Sequence, residues 1–95
     1  GDAAIVRLAA PAAGVQPRSI NLARRPPLGT RGRIIGYGST GGPPFRSSDF
    51  GVKRDGLVTT AACQESVGND THVCWQFDGS DASTCAGDSG GPLLV

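Results

Sequence analysis

The run Gly87-Asp88-Ser89-Gly90-Gly91-Pro92 restricts this chain more than any other part of it. Glycine loses the most backbone entropy on ordering, and proline lacks the N–H that a helix interior needs, so no helix runs through these residues. What they do build is a tight turn with a serine hydroxyl at its centre and backbone N–H groups free around it. A serine alcohol is a weak nucleophile at neutral pH. Such a turn becomes useful when a base takes the hydroxyl proton and those N–H groups receive the negative oxygen formed on attack.

Two neighbouring patterns point elsewhere and fail on context. Gly87 to Gly91 satisfies the Gly-x-Ser-x-Gly elbow of α/β-hydrolases, but that elbow needs a helix directly after the serine. Here Gly90, Gly91 and Pro92 lead into the strand-like Leu93-Leu94-Val95. Gly36-Tyr37-Gly38-Ser39-Thr40-Gly41 fits the Gly-x-Gly-x-x-Gly of dinucleotide-binding turns and follows the strand-like Arg33-Ile34-Ile35. Gly42-Pro43-Pro44 cannot open the helix whose N-terminus would hold a pyrophosphate, so a strand followed by a loop is expected.

The chain has 95 residues with 9 Lys+Arg against 8 Asp+Glu, which leaves no basic stripe for a phosphate backbone, and nucleic acid is not an expected partner. No apolar run approaches the roughly 18 residues of a membrane helix, so no membrane partner is expected. No Met occurs and the first residue is Gly1, so a processed or truncated piece with no targeting segment in it is expected. Cys63, Cys74 and Cys85 form an odd set whose spacing, with His72 as the one histidine, matches no zinc pattern. Disulfides in an oxidising compartment are expected instead, with one cysteine needing a partner elsewhere and neither metal nor cofactor required. Asn69-Asp70-Thr71 is a glycosylation sequon.

Alternating or β-branched runs predict strands near 33–37, 52–60, 71–77 and 92–95. Prolines at 11, 17, 26 and 27 make 11–28 a linker. Ala3 to Ala10 holds helix formers behind Asp2, a suitable N-cap, and Pro11 would stop a helix there; by pattern alone helix is slightly favoured.

In extended form, Cys85 to Val95 (CAGDSGGPLLV) resembles the nucleophile region of the trypsin-like, chymotrypsin-fold serine endopeptidases. Asp2-Ala3-Ala4-Ile5-Val6-Arg7-Leu8 is similar to the segment that carries their triad aspartate, which turns Ala3 to Ala9 from helix into a strand. Gly36-Tyr37-Gly38 resembles the Gly-Trp-Gly that begins their second barrel, with tyrosine for tryptophan. Thr60-Ala61-Ala62-Cys63 resembles their catalytic-histidine segment but lacks the histidine and falls between aspartate and serine, so it is read as strand and loop. His72, beside polar residues, is read as a surface imidazole. The resemblance therefore implies an all-β fold, a partial chymotrypsin-like double β-barrel made mostly of the second Greek-key barrel. Residues 1–10 would be the last part of the first barrel, 11–28 the crossover and 29–95 an incomplete second barrel with the nucleophile loop.

The resemblance implies a serine endopeptidase that hydrolyses peptide bonds through an acyl-enzyme with a Ser-His-Asp triad. Ser89 would be the nucleophile and Asp2 the carboxylate that orients a histidine absent from this sequence, so the piece alone is expected to be inactive. The N–H groups of Gly87 and Ser89 would form the oxyanion hole. Asp88 would pair with the ammonium group released on zymogen cleavage; its plainer reading is a turn carboxylate capping nearby N–H groups. Ser83, at the floor of the specificity pocket with Thr84 beside it, carries no charge, and Asp81 lies two residues too early to supply one. That predicts no strong Lys/Arg preference. Cys63 and Cys74 would pair, and Cys85 would bond a cysteine outside the chain. Protein or peptide substrates, protein inhibitors and secretion to an extracellular or periplasmic space follow from the same resemblance. The alternative is a non-catalytic homologue that uses the barrels as a protein-binding module.

Overall fold

Antiparallel strand pairing supplies all the regular structure apart from one short 3-10 turn at Ser47–Asp49 in the computed structural model, which describes residues 4–41, 43–64 and 71–95. The strands are β1 (Arg31–Gly36), β2 (Arg54–Ala61), β3 (Cys74–Trp75) and β4 (Leu93–Leu94), in the spatial order β3-β2-β1-β4. β1 and β2 pair from Arg31 opposite Thr59 to Gly36 opposite Arg54. β4 joins the far side of β1, with Leu93 opposite Ile34, and β3 joins β2, with Trp75 opposite Thr60. The architecture is all-β, as the sequence implied.

β2 shows why these residues form a strand. Val58 and Thr60 are buried, whereas Asp55 and Leu57 face outward, the period of two that a half-buried strand requires. Arg33 on β1 and Asp55 on β2 form an ion pair on the exposed side, where solvent keeps its contribution small. The end of the proline-rich linker is fastened to this strand through Thr60. Its hydroxyl donates to the Pro27 carbonyl at 2.6 Å and accepts the Thr30 amide at 2.9 Å, and its carbonyl accepts the Gly29 amide at 2.7 Å. A disulfide joins Cys63 to Cys74 and holds β3 beside the end of β2.

The core is small. Among the described residues, Val58 and Cys63 are the buried hydrophobic ones. The chain exposes 7925 Å², against about 5,100 Å² for a closed globule of its 9.6 kDa by the usual surface scaling. Its radius of gyration of 15.1 Å exceeds the roughly 12.4 Å typical of a compact domain of this length.

The strands differ from expectation in extent. Those expected at 33–37 and 52–60 lie one to two residues earlier and one to two residues later, respectively. The one at 71–77 shrinks to Cys74–Trp75, and the one at 92–95 to Leu93–Leu94. The strand implied for Ala3 to Ala9 is corrected: its described residues form none, and Ile5 is 100% exposed. A strand needs a hydrogen-bonding neighbour, and no described residue runs beside this segment. Residues 11–28, expected as a linker, carry no helix or strand.

Candidate active site

The serine turn is built from two successive backbone hydrogen bonds. The Asp88 amide donates to the Cys85 carbonyl at 3.1 Å, and the Gly91 amide to the Asp88 carbonyl at 2.9 Å. The path requires φ of +92° at Gly87, a left-handed region that side chains disfavour. Ser89 stands exposed at the apex, followed by β4 and not by a helix. The hydrolase elbow is excluded on that ground.

Asp88 fixes this turn to the sheet. One carboxylate oxygen accepts the Gly38 amide at 2.7 Å and the other the Cys85 amide at 2.9 Å. The half-buried carboxylate thus bridges the serine turn and the loop that leaves β1. The two glycines of Gly36-Tyr37-Gly38 make room for it: a Cβ at Gly36 would overlap the Asp88 carboxylate, and one at Gly38 would lie 2.6 Å from its Cγ. No helix follows Gly41, so the dinucleotide reading fails and the glycines serve close packing.

A second link runs parallel to the first. The Ser39 amide donates to the Ala86 carbonyl at 2.9 Å. The amides of Gly87 and Ser89 donate to no acceptor among the described residues. These two backbone donors are therefore left unused while the backbone around them is anchored at Asp88 and Ala86.

Ser83 and Thr84 line a cavity of about 540 Å³ together with Arg54, Gly56, Phe77 and Asp88. Ala82 packs over Gly56 and its amide donates to the Leu57 carbonyl at 2.9 Å, which seats this stretch on β2. Asp81 turns away from the cavity: it accepts the Thr59 hydroxyl at 3.1 Å and lies 3.8 Å from the Arg31 guanidinium.

Of the remaining residues singled out from the sequence, Asp2 lies outside the described residues, as do Asn69 and Asp70 of the sequon. His72 is exposed, with its Nδ1 2.8 Å from the Thr71 hydroxyl. Ser89 has no hydrogen-bond partner among the described side chains. Cys85 is a half-buried thiol 3.4 Å from the Gly41 carbonyl. Sequence reasoning passed over Phe50 and Arg54. The Phe50 ring packs on Gly87, and the Arg54 guanidinium donates to the carbonyls of Gly38, Asp49 and Val52 at 3.1, 3.2 and 3.3 Å. An arginine beginning a strand next to a loop of irregular backbone was the available signal.

The family model for Trypsin matches residues 1–95. A chymotrypsin of Phaedon cochleariae is 32% identical over 88 residues, an alignment covering 82% of this chain and 32% of that protein. The chain thus spans about a third of the length of the curated relative it matches. No solved structure gives a significant match. The sheet is a partial chymotrypsin-like β-barrel, and the chain belongs to the trypsin-like serine protease family.

Proposed function

We propose that these residues are the nucleophile half of a secreted serine endopeptidase that cleaves protein or peptide substrates through an acyl-enzyme. Ser89 attacks the scissile carbonyl carbon, its proton passes to a histidine supplied by the complete protein, and the imidazole returns that proton to the leaving amine. Asp2 holds the imidazole tautomer and offsets its charge. The oxyanion is received by the amides of Gly87 and Ser89. Asp88 fixes the turn as a capping carboxylate in the arrangement described, and in the complete protein it is the group that would meet an activating ammonium.

The observation that carries this reading is the exposed Ser89 on a backbone anchored at Asp88 and Ala86, with two adjacent amides unused. Ser83 and Thr84 supply an uncharged wall to the specificity pocket. The engagement of Asp81 with Thr59 and Arg31 supports the absence of an acidic floor, and hence a preference for apolar or small side chains over Lys or Arg. Cys85 pairs with a cysteine outside these residues. The Cys63–Cys74 disulfide supports an oxidising compartment.

The test is covalent. In the full natural chain that carries this sequence, a fluorophosphonate probe labels Ser89, and Ser89→Ala abolishes both labelling and peptide hydrolysis. An unlabelled but folded full chain overturns the enzymatic reading in favour of a non-catalytic binding homologue.

A further inference from the structure

We propose that Phe50 and Arg54 are positioning residues that hold the Ala86–Gly87 peptide in the orientation needed to bind the oxyanion. The inference rests on Ser89 being the nucleophile.

A trans peptide is planar, with its C=O and N–H pointing in opposite directions. The Ala86 carbonyl accepts the Ser39 amide at 2.9 Å. The Gly87 N–H of that same peptide therefore points away from the loop after β1. Its direction is set by where Ser39 stands, not by any partner of its own. A flip of this peptide would turn the N–H toward Ser39, leave the Ala86 carbonyl where the oxyanion belongs, and destroy the donor pair. Glycine at 87 offers no side chain to resist such a flip.

Phe50 supplies the missing bulk. Its Cδ1 and Cε1 lie 2.9 and 3.0 Å from where a Cβ on Gly87 would stand, so the ring fills the space a side chain would have taken. The ring is braced edge-on by Phe45, with centroids 6.3 Å apart at 66°. The loop that carries it is tied down on both sides. The Gly51 amide donates to the Tyr37 carbonyl at 2.8 Å, and Arg54 gathers the carbonyls of Asp49 and Val52, which flank Phe50-Gly51. The third carbonyl held by Arg54 is that of Gly38, the residue before Ser39. One guanidinium thus fixes the loop presenting Phe50 and the residue adjoining the Ser39 amide that anchors Ala86. All three carbonyls converge on one nitrogen, Nη1, whose two N–H groups are shared among them; what the site requires is a cationic donor at that point, which a lysine ammonium on its shorter stem supplies in part.

The experiment uses the full natural chain and a chromogenic peptide substrate, with fluorophosphonate labelling of Ser89 as the control for the nucleophile. Phe50→Ala and Arg54→Met each lower kcat about tenfold, a fraction of the loss expected from deleting an oxyanion donor outright, while KM stays within about twofold. Affinity for a peptide aldehyde, which forms an oxyanion on addition of Ser89, falls in parallel. Phe50→Tyr keeps the ring and stays within about twofold of wild type. Arg54→Lys, which keeps a charged donor for these carbonyls, loses less than Arg54→Met, about threefold in kcat. The double variant loses no more than about the larger single loss, since both act on one peptide. If Phe50→Ala does not fold, Phe50→Leu carries the test and is expected to lose about threefold in kcat. Unchanged kcat in the folded variants, or a rise in KM with kcat intact, overturns the inference while labelled Ser89 leaves the nucleophile standing. An unlabelled wild type overturns both.

Discussion

Residues 29–61 with 82–94, and residues 4–24, are two regions of one chain with opposite fates. Both contain apolar side chains at a density that could support a core, yet Val58 is 0% exposed while Leu22 is 91% exposed. Hydrophobicity does not separate them. In the first region glycines at 36, 38 and 56 admit neighbouring groups to the backbone, and the polar groups brought inside find partners. Asp88 caps two amides, and Thr60 uses both its donor and its acceptor. In the second, prolines remove donors and no neighbouring strand offers acceptors, so burial would leave backbone groups unpaired. Described order follows polar satisfaction and close approach, with apolar burial as a consequence.

The comparison is broken hardest at Gly38. Gly38→Ala puts a methyl 2.6 Å from Asp88 Cγ and 2.7 Å from the Ala86 carbonyl, both parts of the anchored turn. The turn must detach from the sheet, at a cost of about 3 kcal/mol in urea denaturation of the folded chain. A loss below about 1 kcal/mol would mean that Asp88 does not hold the turn. Thr60→Val comes next. It is nearly isosteric at a site only 3% exposed and removes two hydrogen bonds, but the Pro27 carbonyl keeps the Thr30 hydroxyl at 2.7 Å and the Thr30 amide at 3.3 Å, so the loss is about 1 kcal/mol. Leu22→Ser in the 95-residue chain is expected to stay within about 0.5 kcal/mol, as an exposed position should. A cost above about 1 kcal/mol there would show the linker packed on a surface and would erase the contrast.

Legibility in the sequence divides along the same line. Ser89, its turn and the chain direction into β4 are local, because glycine and proline dictate φ and hydrogen-bonding capacity residue by residue. β1 and β2 are nearly so, because alternation is a period-two property that survives without knowing the partner strand. The roles of Gly36 and Gly38 are not local. The pattern was visible, but its reason is a carboxylate 50 residues away from Gly38 along the chain. Thr60 lay within a run that imitates another segment of the family, and only the position of Pro27 makes its hydroxyl structural. The brevity of β3 was likewise hidden, since a strand's length depends on its neighbour; β2 offers Thr60 and Ala61 and no more. Phe50 and Arg54 depend on where a loop returns, which no propensity encodes.

The smallest expected effect lies at Asp78, where satisfaction of a charge occurs entirely in solvent. Its carboxylate accepts the Ser80 hydroxyl at 2.6 Å and the Ser80 amide at 2.9 Å. The Ser80 side-chain hydrogen bond first, and the backbone hydrogen bonds after it, favour the ionised form and hold its pKa below the usual aspartate value. A depressed folded-state pKa means that the unfolded chain binds the proton more readily. The turn's contribution to stability is therefore present above the ordinary aspartate pKa and is lost as pH falls through the lower folded value. Carboxyl ¹³C titration should place Asp78 below a random-coil aspartate, and Ser80→Ala should move it back up by removing the largest cause. Backbone donors would persist in that variant, so the return is expected to be partial. A midpoint unchanged by Ser80→Ala would assign the shift to the backbone of the turn, making this loop, like the serine turn, a structure that satisfies its carboxylate through main-chain amides.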